Sequence, residues 1–293
     1  MTKEKIYYMI SEEEYNEEKS KYIVKEIDNY QLMYRKKEEN KKMLLWIPGY
    51  NDYYYHFHVG NLLLNLGYDI YALNMKIDED NLNGYLEIIN KVMKDLDKEY
   101  ERKVLYGHNI GGLVCLHYVI RNRFIFDGLV LNGPLLDFYY DNKFEHLMKG
   151  FYSFIGKFRP NTIIRPNIKL PNLYQLDIQK RFYREKDKIY FNIPPLYAGW
   201  ANTVSHFQQF IQQNQFYLRI PILVLTSNES SLDFSPIKDI KSDVIETEFI
   251  LKNIHNRRLR LIKIKNAIHD VFVGNVMSSR TAMFHLMNWI NHI

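Results

Sequence analysis

Short apolar runs alternate with stretches of helical spacing along most of the chain. The apolar runs are Met43 to Ile47, Tyr68 to Leu73, Val104 to Tyr106, Gly128 to Leu131, Ile222 to Leu225 and Leu259 to Ile264. Runs of this kind are typical of parallel strands that are covered on both faces. Helical spacing is found in the ranges 59–66, 85–96, 112–120 and 280–290. This alternation predicts an α/β fold with a doubly wound, mostly parallel sheet.

The alternation is interrupted once, between residues 134 and 219. This segment is punctuated by prolines and aromatic residues and has no clear strand-helix-strand rhythm. We predict that 134–219 is a lid inserted into one core domain formed by 1–133 and 220–293, since 293 residues with 46% apolar content can bury one large core. Before the first apolar run, residues 22–34 predict an antiparallel edge hairpin that turns at Asp28 and Asn29.

Composition narrows the classes of function. The net charge of +5 comes from interspersed lysines, arginines and carboxylates, so no nucleic-acid partner is expected. No run of apolar residues is long enough for a transmembrane helix, and the first 21 residues are rich in lysine and glutamate. The single cysteine, Cys115, excludes an internal disulfide framework and favours a cytoplasmic location. No metal is expected, because His56 and His58 lack enough neighbouring ligands for zinc. No cofactor is expected either.

The sequence VLYGHNIGG, residues 104–112, joins a predicted strand to a predicted helix. This is the context of the nucleophile elbow G-x-S-x-G, with Asn109 at the position of the serine. Asparagine tolerates the positive φ of such a turn better than most residues. It offers no hydroxyl from which a base could remove a proton, so Asn109 preserves the turn without preserving the chemistry.

His269 follows the last predicted strand, where this type of fold places its histidine base. The acid of a triad should lie between the strand at Ile222 and this histidine, because the order along the chain is nucleophile, acid, histidine. The candidate acids that we considered are Glu229, Asp233, Asp243 and Glu246.

The match extends beyond the elbow. Residues 44–75, GHNIGGLVCLHYV, GLVLNGPLLD, IPILVLTSNESS and KNAIHDVF resemble bacterial serine hydrolases of the lysophospholipase and monoacylglycerol-lipase-like group, over nearly the whole chain from about residue 22. The resemblance implies an α/β-hydrolase fold and ester chemistry. It favours Asp243 as the acid, with Glu246 second, and implies an oxyanion hole made by the backbone N–H groups of Tyr50 and Ile110. The family's usual His-Gly at the oxyanion loop is Pro48-Gly49 here.

Three functions remain open from the sequence. The first is a pseudoenzyme that binds a small ester, lipid or acyl ligand. The second is an active hydrolase: either Asn109 was engineered into an ordinary esterase, or its deamidation supplies an aspartate nucleophile, since GHNIGG differs at one position from the GHD-x-GG elbow of epoxide hydrolases and haloalkane dehalogenases. The third is a protein-interaction module with a vestigial pocket.

Overall fold

The computed structural model describes residues 12–27, 30–49, 52–75, 82–96, 98–138, 143–165, 168–169, 192–193, 195–231, 238–239 and 242–293. The helices are α1 (Glu12–Ser20), α2 (Phe57–Asn65), α3 (Leu82–Lys94), α4 (Ile110–Arg121), α5 (Lys143–Phe158), α6 (Ala198–Gln212), α7 (Val244–Leu251) and α8 (Val276–Ile290). The strands are β1 (Ile23–Ile27), β2 (Tyr30–Arg35), β3 (Lys42–Ile47), β4 (Tyr68–Met75), β5 (Arg102–His108), β6 (Gly128–Asn132), β7 (Ile163–Arg165), β8 (Ile168–Lys169), β9 (Asn192–Ile193), β10 (Leu196–Tyr197), β11 (Phe216–Tyr217), β12 (Ile222–Ser227), β13 (Ile254–His255) and β14 (Leu259–Ile264).

Eight strands form one sheet in the order β1-β2-β4-β3-β5-β6-β12-β14. The pairings from β4 through β14 are parallel, whereas β1 and β2 add to the edge of the sheet as an antiparallel hairpin. The doubly wound, mostly parallel sheet is therefore confirmed. The edge hairpin is also present, although its turn residues Asp28 and Asn29 lie outside the described part of the chain.

The two faces of the sheet carry separate apolar layers, because successive side chains of a strand point to opposite faces. In β3, Leu45 joins the layer that is covered by α3, α4 and α6, whereas Leu44 and Trp46 join the layer that is covered by α2 and α8. Both layers consist of nearly inaccessible side chains. The carboxyl ends of β5, β6, β12 and β14 are thus held rigidly side by side.

Between β6 and β12 the described residues contribute no strand to the large sheet. In this segment α5 packs on α6, and Gly156 allows the approach because an added Cβ would lie 2.0 Å from the carbonyl oxygen of Ala198. The boundaries of the lid at 134 and 219 remain a prediction. No helix in the described ranges is both long and apolar enough to cross a membrane.

Candidate active site

Asn109 is the single residue between the end of β5 at His108 and the start of α4 at Ile110. Its φ of 54° and ψ of −121° are those of the first central position of a type II′ turn, a positive-φ conformation adopted chiefly by glycine, asparagine and aspartate. The chain passes very close to itself here: a Cβ on Gly107 would lie 2.5 Å from the carbonyl oxygen of Gly111, so glycine is required. The geometry is that of the predicted elbow.

The carboxamide of Asn109 makes two hydrogen bonds. Its Oδ1 accepts from the backbone N–H of Ile110 at 2.5 Å, and its Nδ2 donates to Nε2 of His269 at 2.7 Å. The backbone N–H can only donate, which fixes the orientation of the amide and places its NH₂ group toward the histidine. The lone pair of His269 therefore faces residue 109 but is already engaged by an amide hydrogen.

The other ring nitrogen of His269 contacts a buried carboxylate. Nδ1 donates to Asp239, whose Oδ1 and Oδ2 lie 3.0 and 2.9 Å away. Asp239 is inaccessible to solvent and also accepts from the backbone N–H and the hydroxyl of Ser242, at 3.0 and 2.6 Å. The carboxylate holds His269 in the tautomer that carries its proton on Nδ1, which is the tautomer a histidine base requires.

The structure does not bring either favoured acid to His269. Asp243 caps α7 by accepting from the N–H groups of Ile245 and Glu246, both at 2.9 Å, and Glu246 is exposed in the first turn of that helix. The expectation for Asp243 and Glu246 thus disagrees with the structure, because the aspartate preceding the valine is used as a helix cap.

The remaining two candidate acids are also not found beside His269. Glu229 forms a surface pair with Lys238 at 3.1 Å, and Asp233 lies outside the described residues. The residue that the sequence reasoning missed, Asp239, does satisfy the order of nucleophile, acid and histidine, and it lies in the loop after β12. This order along the chain could have pointed to Asp239, but several other carboxylates in the same loop satisfy it as well.

The expected oxyanion hole is described in part. Ile110 stands at the first position of α4 as expected, but its N–H is occupied by Oδ1 of Asn109. Tyr50 lies outside the described residues. The loop after β3 does reach the site, because a Cβ on Gly49 would lie only 3.0 Å from Cβ of Asn109. The amide of Asn109 therefore occupies one of the two donors that an oxyanion would use.

A buried polar network lies behind the elbow. Nδ1 of His108 donates to the carbonyl oxygen of Asn132 at 2.9 Å, and Nδ2 of Asn132 donates to Oδ1 of Asp270 at 2.8 Å. Oδ2 of Asp270 lies 2.6 Å from Nε2 of His56. Burial raises the pKa of Asp270, but His56, His108 and Asn132 together outweigh burial and hold this pKa well below its ordinary value. The network fixes the segment that carries His269 against β5 and β6.

His56, His58 and Cys115, the other residues singled out in the sequence, make structural contacts. His56 belongs to the buried pair with Asp270, and His58 lies 3.1 Å from the carbonyl oxygen of Phe272. Among the described residues no cluster of histidine, cysteine and carboxylate side chains is arranged to hold a metal ion. Cys115 is buried in α4, and burial raises the pKa of its thiol well above the ordinary value, so the reactive thiolate is disfavoured.

Two buried histidines predict a loss of stability in acid. The pKa of His108 and that of His117 are both lowered from 6.5 to about 4, mainly by burial and, at His117, also by the charge of Arg121. Between pH 6.5 and about 4 the unfolded chain therefore binds more protons than the folded protein. The contribution of each neutral histidine to the free energy of unfolding is complete above pH 6.5 and is lost as the pH falls toward 4. Each histidine should reduce the free energy of unfolding by up to about 1.4 kcal/mol per pH unit in this window.

The measurement is denaturant unfolding at several pH values across the window. His117→Gln should flatten the dependence of the unfolding free energy on pH, even though it lowers that free energy overall. His206→Gln is the matched control, because His206 is exposed and its replacement should leave the slope unchanged. Equal slopes in native protein and His117→Gln would contradict the assignment of a neutral, buried His117.

Comparisons with known proteins identify the family and the fold. The family model described as serine aminopeptidase, S33, matches residues 38–274. A soluble variant of monoglyceride lipase from Saccharomyces cerevisiae, in complex with a substrate analog, has a TM-score of 0.68 and 14% identity over 92% of this chain and 94% of that chain. The monoacylglycerol lipase of Paleococcus ferrophilus has a TM-score of 0.65 and 15% identity over 85% and 93%. Mouse alpha/beta hydrolase domain-containing protein 10 has a TM-score of 0.61 and 13% identity over 92% and 98%.

No significant sequence match was found among curated proteins. The family model nevertheless covers most of the 293 residues, and it includes the elbow, Asp239 and His269. The α/β-hydrolase fold and the lipase- and esterase-like resemblance expected from the sequence are confirmed. The chain belongs to the serine aminopeptidase S33 family of α/β hydrolases.

Proposed function

We propose that this protein is a catalytically impaired, lipase- or esterase-like α/β hydrolase that binds an ester or acyl ligand and forms no acyl-enzyme. The observation that carries the proposal is the double engagement of the Asn109 amide with His269 and with the N–H of Ile110. The neutral side-chain amide nitrogen of Asn109 is not a nucleophile, because its lone pair is delocalised into the carbonyl group. The histidine and its carboxylate are in place, but they have no hydroxyl to activate.

Two aromatic side chains near the acid loop, together with the similar structures, support the proposed ligand class. Phe138 forms an isolated β-bridge with Ser242, the residue that donates to Asp239, and its ring centroid lies 6.1 Å from that of Trp200 at the start of α6. Aromatic side chains beside a few polar groups are common at sites for small ligands. Two structures of similar fold are monoacylglycerol or monoglyceride lipases, which supports an acyl chain as the apolar part of the ligand.

The location of the protein is part of the same proposal. Its one cysteine, Cys115, is buried and free, which is consistent with a reducing compartment such as the cytoplasm.

A fluorescent fluorophosphonate tests the impairment, because it bonds covalently to a serine that a histidine activates. We expect no labelling of the native protein and strong labelling of Asn109→Ser. Labelling should disappear in the double variant Asn109→Ser with His269→Ala. Asn266→Ser is the matched control, since Asn266 also has a positive φ, 57°, but is exposed.

Two results would contradict the proposal. The first is labelling of the native protein within residues 104–121, which would reveal a nucleophile at the elbow that we have not assigned. The second is a folded Asn109→Ser protein that does not react, which would mean that the site differs from an active hydrolase in more than residue 109.

A further inference from the structure

The backbone at Asn109 has a geometry that favours cyclisation of the side chain. The torsion Cβ–Cα–C–N, which ends at the nitrogen of the next residue, differs from ψ by about 120°, because Cα is tetrahedral. At Asn109 ψ is −121°, so Cβ of Asn109 and the nitrogen of Ile110 are eclipsed. An eclipsed arrangement is the one needed to close a five-membered ring through Cα, Cβ, Cγ, the nitrogen of Ile110 and the carbonyl carbon.

The side chain is already folded over that nitrogen. The N–H of Ile110 donates to Oδ1 of Asn109 at 2.5 Å, so Cγ is bonded directly to an atom that this nitrogen already contacts. The backbone is held in this state from both sides: the N–H of Asn109 donates to Asn132, and its carbonyl oxygen accepts from Gly112 and Leu135 at 3.0 and 3.1 Å. The fold therefore maintains a conformation that a flexible chain would visit only briefly.

Loss of the N–H of Ile110 would leave the helix intact. Ile110 is the first residue of α4, where backbone N–H groups have no acceptor within the helix. Proline, which also lacks this hydrogen, is favoured at the same position for the same reason. The partial positive charge at the start of the helix stabilises negative charge that develops on the nitrogen and on Oδ1 during attack.

We propose that Asn109 is a site of self-modification. The nitrogen of Ile110 loses its proton and attacks Cγ of Asn109, the bond from Cγ to Nδ2 breaks, and Nδ2 takes up one proton and leaves as ammonia. Nε2 of His269 carries no proton in the resting tautomer, so it first takes up, through solvent, the proton that the Ile110 nitrogen loses, and then delivers it to Nδ2, which lies 2.7 Å away. The product is a cyclic imide between residues 109 and 110.

Water then opens the imide. Attack at Cγ restores the amide bond of the main chain and leaves an aspartate at position 109, whereas attack at the backbone carbonyl carbon leaves an isoaspartate. The aspartate product would place a carboxylate beside His269, at the nucleophile position of the elbow. This goes beyond the proposed binding function, because it changes the chemistry available to the site with time.

The test compares the rate at which Asn109 is converted in the folded protein and in the unfolded chain. Tryptic cleavage after Lys103 and Arg121 releases residues 104–121, in which Asn109 is the only side-chain amide, so a change from amide to acid in this peptide reports Asn109 alone. The protein is incubated at mildly alkaline pH, native or in guanidinium chloride, and digested at intervals. Incubation in heavy-oxygen water marks the acid by its extra mass.

We expect conversion in the native protein to be roughly tenfold faster than in the unfolded chain, because the fold holds the reacting atoms in place. An imide intermediate should appear as a loss of ammonia from the same peptide. Asn109→Gln is the control, since its extra methylene prevents a five-membered ring, and residues 104–121 of that variant should keep their mass. Conversion in the native protein that is absent, or no faster than in guanidinium chloride, would overturn the proposal.

Discussion

In a protein that carries Asn109→Ser, replacing Asp239 with asparagine should lower ester turnover by about 10⁴-fold. The carboxylate of Asp239 accepts the Nδ1 hydrogen of His269, with Oδ1 and Oδ2 at 3.0 and 2.9 Å from Nδ1. An asparagine there can instead donate to Nδ1, which moves the histidine proton to Nε2 and removes the lone pair that must face the serine. The geometry would be preserved, but the base would be in the wrong tautomer.

Asp243→Asn is the matched control for this experiment, because it makes the same chemical change four residues along the chain. Asparagine caps a helix about as well as aspartate, so the hydrogen bonds to Ile245 and Glu246 can be kept. We expect turnover and thermal midpoint close to those of the Asn109→Ser parent. If Asp243→Asn abolishes turnover and Asp239→Asn does not, the acid suggested by the resemblance is correct and the assignment of Asp239 is wrong.

Much of the fold could be predicted from the sequence because the signals are local. Each of the parallel strands was marked by a short apolar run, and the hairpin by alternation around two turn residues. The elbow was recognisable since glycines at 107 and 111 meet a steric need of the turn itself. His269 could be located because only one histidine directly follows the last strand of the sheet.

The acid could not be located in the same way. Asp239 and Asp243 lie in one loop, and both satisfy the required order along the chain. What separates them is tertiary structure: Ser242 donates to Asp239 and turns it inward, whereas Asp243 is needed at the N-terminus of α7. The occupation of the Ile110 N–H was equally hidden, because it depends on the side-chain rotamer of Asn109.

We propose that residue 109 alone separates this site from an active ester hydrolase. The most direct measurement is the turnover of short- and long-chain p-nitrophenyl esters by native protein, by Asn109→Ser and by Asn109→Ala, with the mass of each protein verified beforehand. The alanine variant frees His269 and the Ile110 N–H without supplying a hydroxyl, so it should remain near the native rate. Asn109→Ser should exceed the native rate by about 10³-fold or more, because the serine joins a histidine and a carboxylate that are already in place. An amide-intact native protein that turns over esters as fast as Asn109→Ser, or a folded Asn109→Ser that stays inert, would contradict the claim.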